Sequence, residues 1–148
     1  MAAKKVKPGP DYRREAGEML GFARGELKAA HSNRANPDVP VRKAAGDSQA
    51  AAEKALKAVI ILENEEYECT HDLEVLAREA PADFVVPATE DELIEVSDLM
   101  TAARHPDPDG PISEDEADRA ISVGEAIVES AIAHFVKRGV DPSLYDVK

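Results

Sequence analysis

The stretch SQAAAEKALKAVII, Ser48 to Ile61, decides the fold that this sequence predicts. Alanine and leucine are strong helix formers, and the stretch contains neither proline nor glycine. Its apolar residues recur every three or four positions, as on one face of a helix, until the run Val59–Leu62 makes the pattern apolar on all sides. We therefore expect a helix from Val41 to Glu63 whose last turns are either buried on several sides or covered by a partner.

The composition of the whole chain favours an all-α fold. Apolar residues make up 43% of the 148 residues, but aromatic residues make up only 4% and tryptophan is absent. The core must therefore consist of Ala, Leu, Ile and Val, a mixture that suits closely packed helices. A chain of this length is expected to form one domain.

Helix signals on both sides of the central stretch complete a bundle of four main helices and one short helix. Thr89 with Glu92, and Ser113 with Glu116, have the spacing of capping boxes at helix starts. The expected helices run from Asp11 to about Asn33, from Val41 to Glu63, from a Thr70 cap to Pro81, from Thr89 to Arg104, and from Ser113 to Gly139. We expect a bundle over residues 11–139, with residues 1–10 and 140–148 as tails.

Three glycines, Gly17, Gly21 and Gly25, repeat every four residues within the first expected helix. Each costs the helix about 1 kcal/mol relative to alanine. Their spacing places them on one side of the helix, where we expect another helix to approach closely.

The cysteine content and the hydropathy indicate a cytoplasmic protein. A single cysteine, Cys69, excludes an intrachain disulfide and fits a reducing compartment. No stretch approaches the roughly 20 apolar residues that a membrane-spanning helix requires. We expect no membrane association, no metal and no cofactor.

Charge is unevenly distributed along the chain, although the total is -12. Residues 1–60 carry twelve Lys and Arg against seven Asp and Glu, a net charge of +5, whereas residues 61–148 carry six against 23, a net charge of -17. A surface that faces phosphate should therefore come from the first sixty residues.

The sequence Arg104-His105-Pro106-Asp107 stands where the fourth long pattern stops. A residue that precedes proline is disfavoured in helical conformation, and a cation in the last turn of a helix is favourable by about 0.3–1 kcal/mol. These effects alone account for a helix end at this place. Arg104 and His105 in front of a rigid turn could equally present a bidentate phosphate-binding group and a proton-transfer group.

Three blocks of this sequence resemble those of the HEPN domains, named for higher eukaryotes and prokaryotes nucleotide-binding. SQAAAEKALKAVII (Ser48–Ile61) resembles the family's second-helix signature, THDLEVL (Thr70–Leu76) its His-Asp-Leu block, and ARHPD (Ala103–Asp107) its Arg-Tyr-Pro-Asp block, with His105 in place of Tyr. The three blocks occur in the family's order and span nearly the whole chain.

The resemblance implies a helical bundle that forms a homodimer and binds a nucleotide or RNA, in some members beside a minimal nucleotidyltransferase partner. It places Arg104 and His105 at the centre of a phosphate site, where they are also the catalytic candidates. Asp107, His71, Gln49, Glu53 and Lys57 would line that site. Many HEPN proteins are metal-independent ribonucleases, and several of these are toxins of toxin-antitoxin pairs.

Ribonucleases of this family carry an arginine followed four to six residues later by a histidine, whereas here His105 follows Arg104 directly. We therefore expect a nucleotide- or RNA-binding protein. One alternative is a metal-independent endoribonuclease toxin in which His105 or His71 replaces the missing histidine. The other is a non-catalytic interaction module with a dimer surface around Ile60 and Ile61.

Overall fold

Five α-helices and one antiparallel pair of two-residue strands form the part of the chain that the computed structural model describes, residues 4–104 and 111–148. Side chains are described for residues 4–100 and 111–148. In chain order the elements are β1 (Lys5–Val6), α1 (Tyr12–Ala35), α2 (Val41–Leu62), β2 (Tyr67–Glu68), α3 (Leu73–Glu79), α4 (Glu90–Arg104), α5 (Glu114–Lys137) and a 3-10 helix (Pro142–Tyr145). The expected all-α bundle is confirmed. None of the described helices is long and apolar enough to cross a membrane.

Helix α2 lies at the centre of the bundle and contacts α1, α3, α4 and α5. Its small side chains permit this, since Ala51, Ala52 and Ala55 are fully buried between neighbouring helices. The run Val59–Leu62 is buried within the single chain. Burial on several sides is therefore the correct alternative, and the hypothesis of a dimer surface at Ile60 and Ile61 is wrong because these side chains are already covered.

The glycines of α1 contact the C-terminal segment, residues 144–148. A Cβ atom added at Gly17, Gly21 or Gly25 would collide with backbone atoms of that segment. The amide of Lys148 donates to the carbonyl of Gly21 at 3.0 Å, and Arg24 Nη1 donates to a carbonyl of the same segment at 2.6 Å. The close approach was predicted correctly, but its partner is the C-terminal segment, which begins within the short 3-10 helix, and not a long helix of the bundle.

Both ends of the chain depart from the expectation of free tails. Strand β1 pairs with β2, so that Lys5 lies opposite Glu68 and Val6 opposite Tyr67. At the other end Val140 and Tyr145 are buried, and the Tyr145 ring meets the Phe135 ring edge-on with centroids 5.4 Å apart. These contacts join residues far apart in sequence, which local composition does not reveal.

The starts of α4 and α5 have the predicted caps. The amide of Glu116 donates to Ser113 Oγ at 3.1 Å and the amide of Ser113 donates to Glu116 Oε1 at 3.0 Å, and Thr89 and Glu92 make the same reciprocal pair. The predicted Thr70 cap of α3 was wrong. Helix α3 begins at Leu73, whose amide donates at 2.9 Å to Ser97 Oγ on α4. The start of α3 is therefore tied to α4.

Candidate functional site

A row of polar side chains runs along α2 within the apolar core. Gln49, Glu53 and Lys57 are spaced by four residues and therefore lie on one side of the helix. Gln49 is fully buried, Glu53 nearly so, and the Lys57 side chain is only 14% exposed. Charged side chains are rarely buried to this extent unless they are paired.

His71, in the loop between β2 and α3, meets this polar row from outside the helix. Its Nδ1 lies 2.7 Å from Glu53 Oε1, and its carbonyl oxygen accepts from Gln49 Nε2 at 2.7 Å. Lys57 Nζ donates to Glu53 Oε2 at 2.8 Å. The structure thus brings together Gln49, Glu53, Lys57 and His71, four of the seven predicted site residues.

The electrostatics of this cluster keep Glu53 ionised. Burial by itself would raise the pKa of the Glu53 carboxyl, but the hydrogen bonds from Lys57 and His71 outweigh burial and hold that pKa below its ordinary value. A carboxylate only accepts hydrogen bonds. Both Lys57 and His71 must therefore donate to it.

Two polar groups of the cluster retain unused hydrogen-bonding capacity. Gln49 Oε1 is buried and has no hydrogen-bond partner among the residues that the structure describes. The His71 side chain is 61% exposed, so its outer edge is open to a ligand. The Lys57 ammonium is held internally, because its second neighbour is the Tyr67 ring, 5.7 Å from Nζ to the centroid.

The remaining predicted site residues belong to the end of α4. The described part of that helix runs to Arg104. The Arg104 side chain, His105 and Asp107 lie outside the described residues, so their place in the site stays a prediction. Met100, one turn before Arg104, lines a groove beside the first turns of α2. The backbone of α4 therefore runs alongside the helix that carries the polar row.

This groove has a volume of about 560 Å³ and lies between the start of α2 and α4. Arg42 and Lys43 contribute two basic side chains to it. Asp47 is buried there and accepts from Asn33 Nδ2 at 2.7 Å and from Lys43 Nζ at 2.8 Å. A ligand held near the end of α4 would have room to extend into this partly basic groove.

A second polar cluster, which sequence reasoning missed, joins the ends of α2 and α5 to the loop before α4. Arg138 donates to Glu63 Oε1 at 2.8 Å and to Asp83 Oδ2 at 2.6 Å. His134 Nε2 lies 2.9 Å from the same Glu63 oxygen, and its ring meets Phe84 edge-on. His134 is buried, because Phe84 of the α3–α4 loop covers it. No sequence spacing could reveal a cluster from three distant segments.

Glu63, Asp83 and His134 offer ligand atoms within 4.8 Å of one another, the arrangement a metal ion would need. Arg138 already bonds both carboxylates, however, and together with Lys137 it lowers the pKa of Asp83 to about 2. A permanent cation therefore neutralises these acids. We interpret the cluster as a structural contact that fixes the loop to the bundle.

A family model described as HEPN domain matches residues 16–134, which include the polar row, His71 and the end of α4. The chain belongs to the HEPN family. The fold of this HEPN protein is similar to the crystal structure of TT1696 from Thermus thermophilus, with a TM-score of 0.68 and 22% sequence identity over 81% of this chain and 98% of that chain. None of the curated proteins matches the sequence.

The three sequence blocks that resemble the HEPN family occupy neighbouring parts of the bundle. The first lies on α2, the second covers the loop before α3 and most of that helix, and the third begins in the last turn of α4. The contact between Glu53 and His71 joins the first two blocks directly. In this HEPN protein the blocks therefore mark a polar cluster as well as the fold.

Proposed function

We propose that this HEPN protein binds a nucleotide or an RNA through a phosphate group, at a site formed by the polar row, His71 and the end of α4. The observation that carries the proposal is the contact between a buried Glu53 carboxylate and a mostly exposed His71 imidazole. In this site Arg104 grips the phosphate as a bidentate donor and His105 donates beside it. Asp107 is proposed as a further member of this phosphate site.

The cost of the polar row supports a functional role. Replacing a buried ion pair with well-packed apolar side chains is often neutral or stabilising. An unpartnered buried acceptor such as Gln49 Oε1 costs about 1–3 kcal/mol. A core built from Ala, Leu, Ile and Val would therefore be more stable without these polar groups. Ionisable groups with shifted pKa values are concentrated at functional sites.

The charge distribution along the chain supports a phosphate ligand for a site on α2. The row lies on α2, within the first sixty residues, which carry the net charge of +5. We further propose that the protein is a homodimer and that it works with a minimal nucleotidyltransferase partner. Light scattering tests whether the protein is a homodimer, because a monomeric mass at micromolar concentration would refute it.

Nucleotide-induced thermal stabilisation tests the phosphate site. Ligand that binds only the folded protein raises its melting temperature. We expect a nucleoside monophosphate to stabilise the wild type and the Arg104→Ala variant to lose that stabilisation. Arg119→Ala is a matched control, since Arg119 is an exposed arginine of α5 whose guanidinium pairs with Glu95 at 2.9 Å. Equal stabilisation of wild type and Arg104→Ala would refute the assignment.

Metal-independent RNA cleavage is the second candidate function, and the histidine-carboxylate contact favours it. A carboxylate that orients an imidazole is a common arrangement in proton-transfer catalysis. Cleavage of a structured RNA in the presence of a chelator would be expected from the wild type and not from a His71→Ala, His105→Ala double variant. Either intact RNA with the wild type or persistent cleavage by the double variant would refute this candidate.

A further inference from the structure

The net charge of the polar cluster depends on the protonation of one side chain, His71. The Glu53 carboxylate and the Lys57 ammonium neutralise each other across 2.8 Å, and Lys57 also lies against the Tyr67 ring. Lys57 therefore cannot turn outward to a phosphate without leaving its carboxylate. In the described part of the cluster, His71 is the side chain that can add a positive charge on the exposed side.

Glu53 also determines which imidazole nitrogen faces the outside. Because the carboxylate only accepts, the 2.7 Å contact requires a proton on His71 Nδ1. The other nitrogen, Nε2, lies on the opposite side of the ring, which is 61% exposed. Neutral His71 thus presents a bare Nε2 that cannot donate to a phosphate, whereas the doubly protonated ring presents a charged N–H donor.

We propose that Glu53 is a positioning residue that holds His71 with Nε2 directed at the ligand, and that the site binds an RNA phosphodiester more tightly while that nitrogen is protonated. This rests on the proposed phosphate-binding function and adds to it a substrate class and a pH dependence. Binding should weaken as pH rises and the imidazole loses its second proton. Loss of the acceptor oxygens of Glu53 should release the orientation and the tautomer of the His71 imidazole.

Few other described charges face the imidazole. From α2 the facing groups are Glu53 and, behind it, Lys57. On its own segment the neighbour is Asp72, which is exposed to solvent. The Glu74 carboxylate of α3 is occupied by Ser97 Oγ of α4, which donates to it at 3.2 Å. The proton on Nδ1 is therefore assigned to the Glu53 contact.

The tautomer of His71 can be measured without any ligand. Long-range proton–nitrogen spectra of the histidine side chains should show neutral His71 in the Nδ1–H form. Glu53→Leu, which removes both acceptor oxygens and keeps an apolar side chain in the core, should shift His71 toward the mixed tautomers of a free imidazole. His31 is the internal reference, because it is half exposed and its Nε2 faces Glu125 at 3.5 Å. An Nε2–H form of His71 in the wild type, or an unchanged tautomer in the variant, would overturn the role of Glu53.

Binding of a short oligoadenylate RNA at two pH values tests the second half of the proposal. Its internal phosphodiesters keep one negative charge each across the pH range in which histidine titrates, about pH 5.5 to 8. We expect wild-type affinity to fall about tenfold over this range, the equivalent of one charge-assisted hydrogen bond. His71→Gln should bind without that pH dependence, while His31→Gln should retain it.

The outcomes separate the two proposals. Binding by the wild type that does not change with pH would overturn the inference and leave the proposed phosphate-binding function intact. Absence of binding at both pH values, with a folded protein by circular dichroism, would refute the proposed function and the inference with it. A pH dependence that survives in His71→Gln would assign it to another group and overturn the inference.

Discussion

The substitution Glu53→Gln tests whether the buried carboxylate holds the polar row together. It retains the size and shape of the side chain and removes only its charge. Lys57 Nζ and His71 Nδ1 would then face a neutral amide at the positions where they now meet carboxylate oxygens, at 2.8 and 2.7 Å. We expect the variant to fold and to be less stable than the wild type.

The size of the effect follows from the two hydrogen bonds. Lys57 and His71 both donate, and an amide has one acceptor oxygen where the carboxylate has two, so one of the two hydrogen bonds is lost. A hydrogen bond to a charged group contributes about 1.5–3 kcal/mol. Loss of one such bond predicts a loss of about 2 kcal/mol. For a domain of this size, that loss corresponds to a fall of about 4–8 °C in the melting temperature.

Urea unfolding followed by circular dichroism measures this loss, with Glu26→Gln as the control. Glu26 Oε1 accepts from Lys54 Nζ at 2.6 Å, but both side chains of this pair are 30% exposed. An ion pair near the surface contributes about 0–1 kcal/mol. We therefore expect the control to lose clearly less stability than Glu53→Gln. Equal losses, or a loss below about 0.5 kcal/mol for Glu53→Gln, would refute the reasoning that burial makes this pair strong.

Three further predictions concern the rest of the fold. Gly21→Ala should lower the melting temperature in calorimetry, although alanine favours a helix by about 1 kcal/mol, because its Cβ would collide with the carbonyl of Asp146; a higher melting temperature would contradict this packing. Arg138 lowers the pKa of folded Asp83 from 3.8 to about 2, so this group stabilises the fold above pH 4 and that contribution is lost as pH falls toward 2. Acid unfolding should therefore be shallower between these pH values in Asp83→Asn, and an identical slope would contradict the contact. Ile60→Ala should lower the free energy of unfolding in urea by about 2–5 kcal/mol and leave the mass in light scattering unchanged. A lower mass with unchanged stability would instead indicate that a partner covers Ile60.

The helix boundaries were predictable because their signals are local. Ser113 and Glu116 are three residues apart and cap α5 by bonding each other's backbone amides. The start of α3 was not predictable in this way, since its first amide is satisfied by Ser97, a residue of another helix. The packing of the C-terminal segment on the glycines of α1 was missed for the same reason. Such contacts depend on the assembled fold.

The site was predictable in its members more than in its environment. The HEPN resemblance indicated Gln49, Glu53, Lys57 and His71 as residues that line the site. It did not indicate how deeply they are buried. In the structure Gln49 and Glu53 are buried, because the central helix is covered on all sides at this level. A helix surrounded by others cannot be recognised from its own periodicity.

Chemical-shift mapping with a short oligoadenylate RNA tests the central claim most directly, because it locates the ligand on the protein. Adding the RNA to nitrogen-labelled protein at about pH 6, where histidine is partly protonated, should shift the backbone amides of Gln49, His71 and Arg104 most strongly. Arg119 and Glu95, on the acidic surface formed by α4 and α5, should not respond. Shifts confined to that surface, or no shifts at saturating RNA, would contradict the assignment of the polar row and the end of α4 as the binding site.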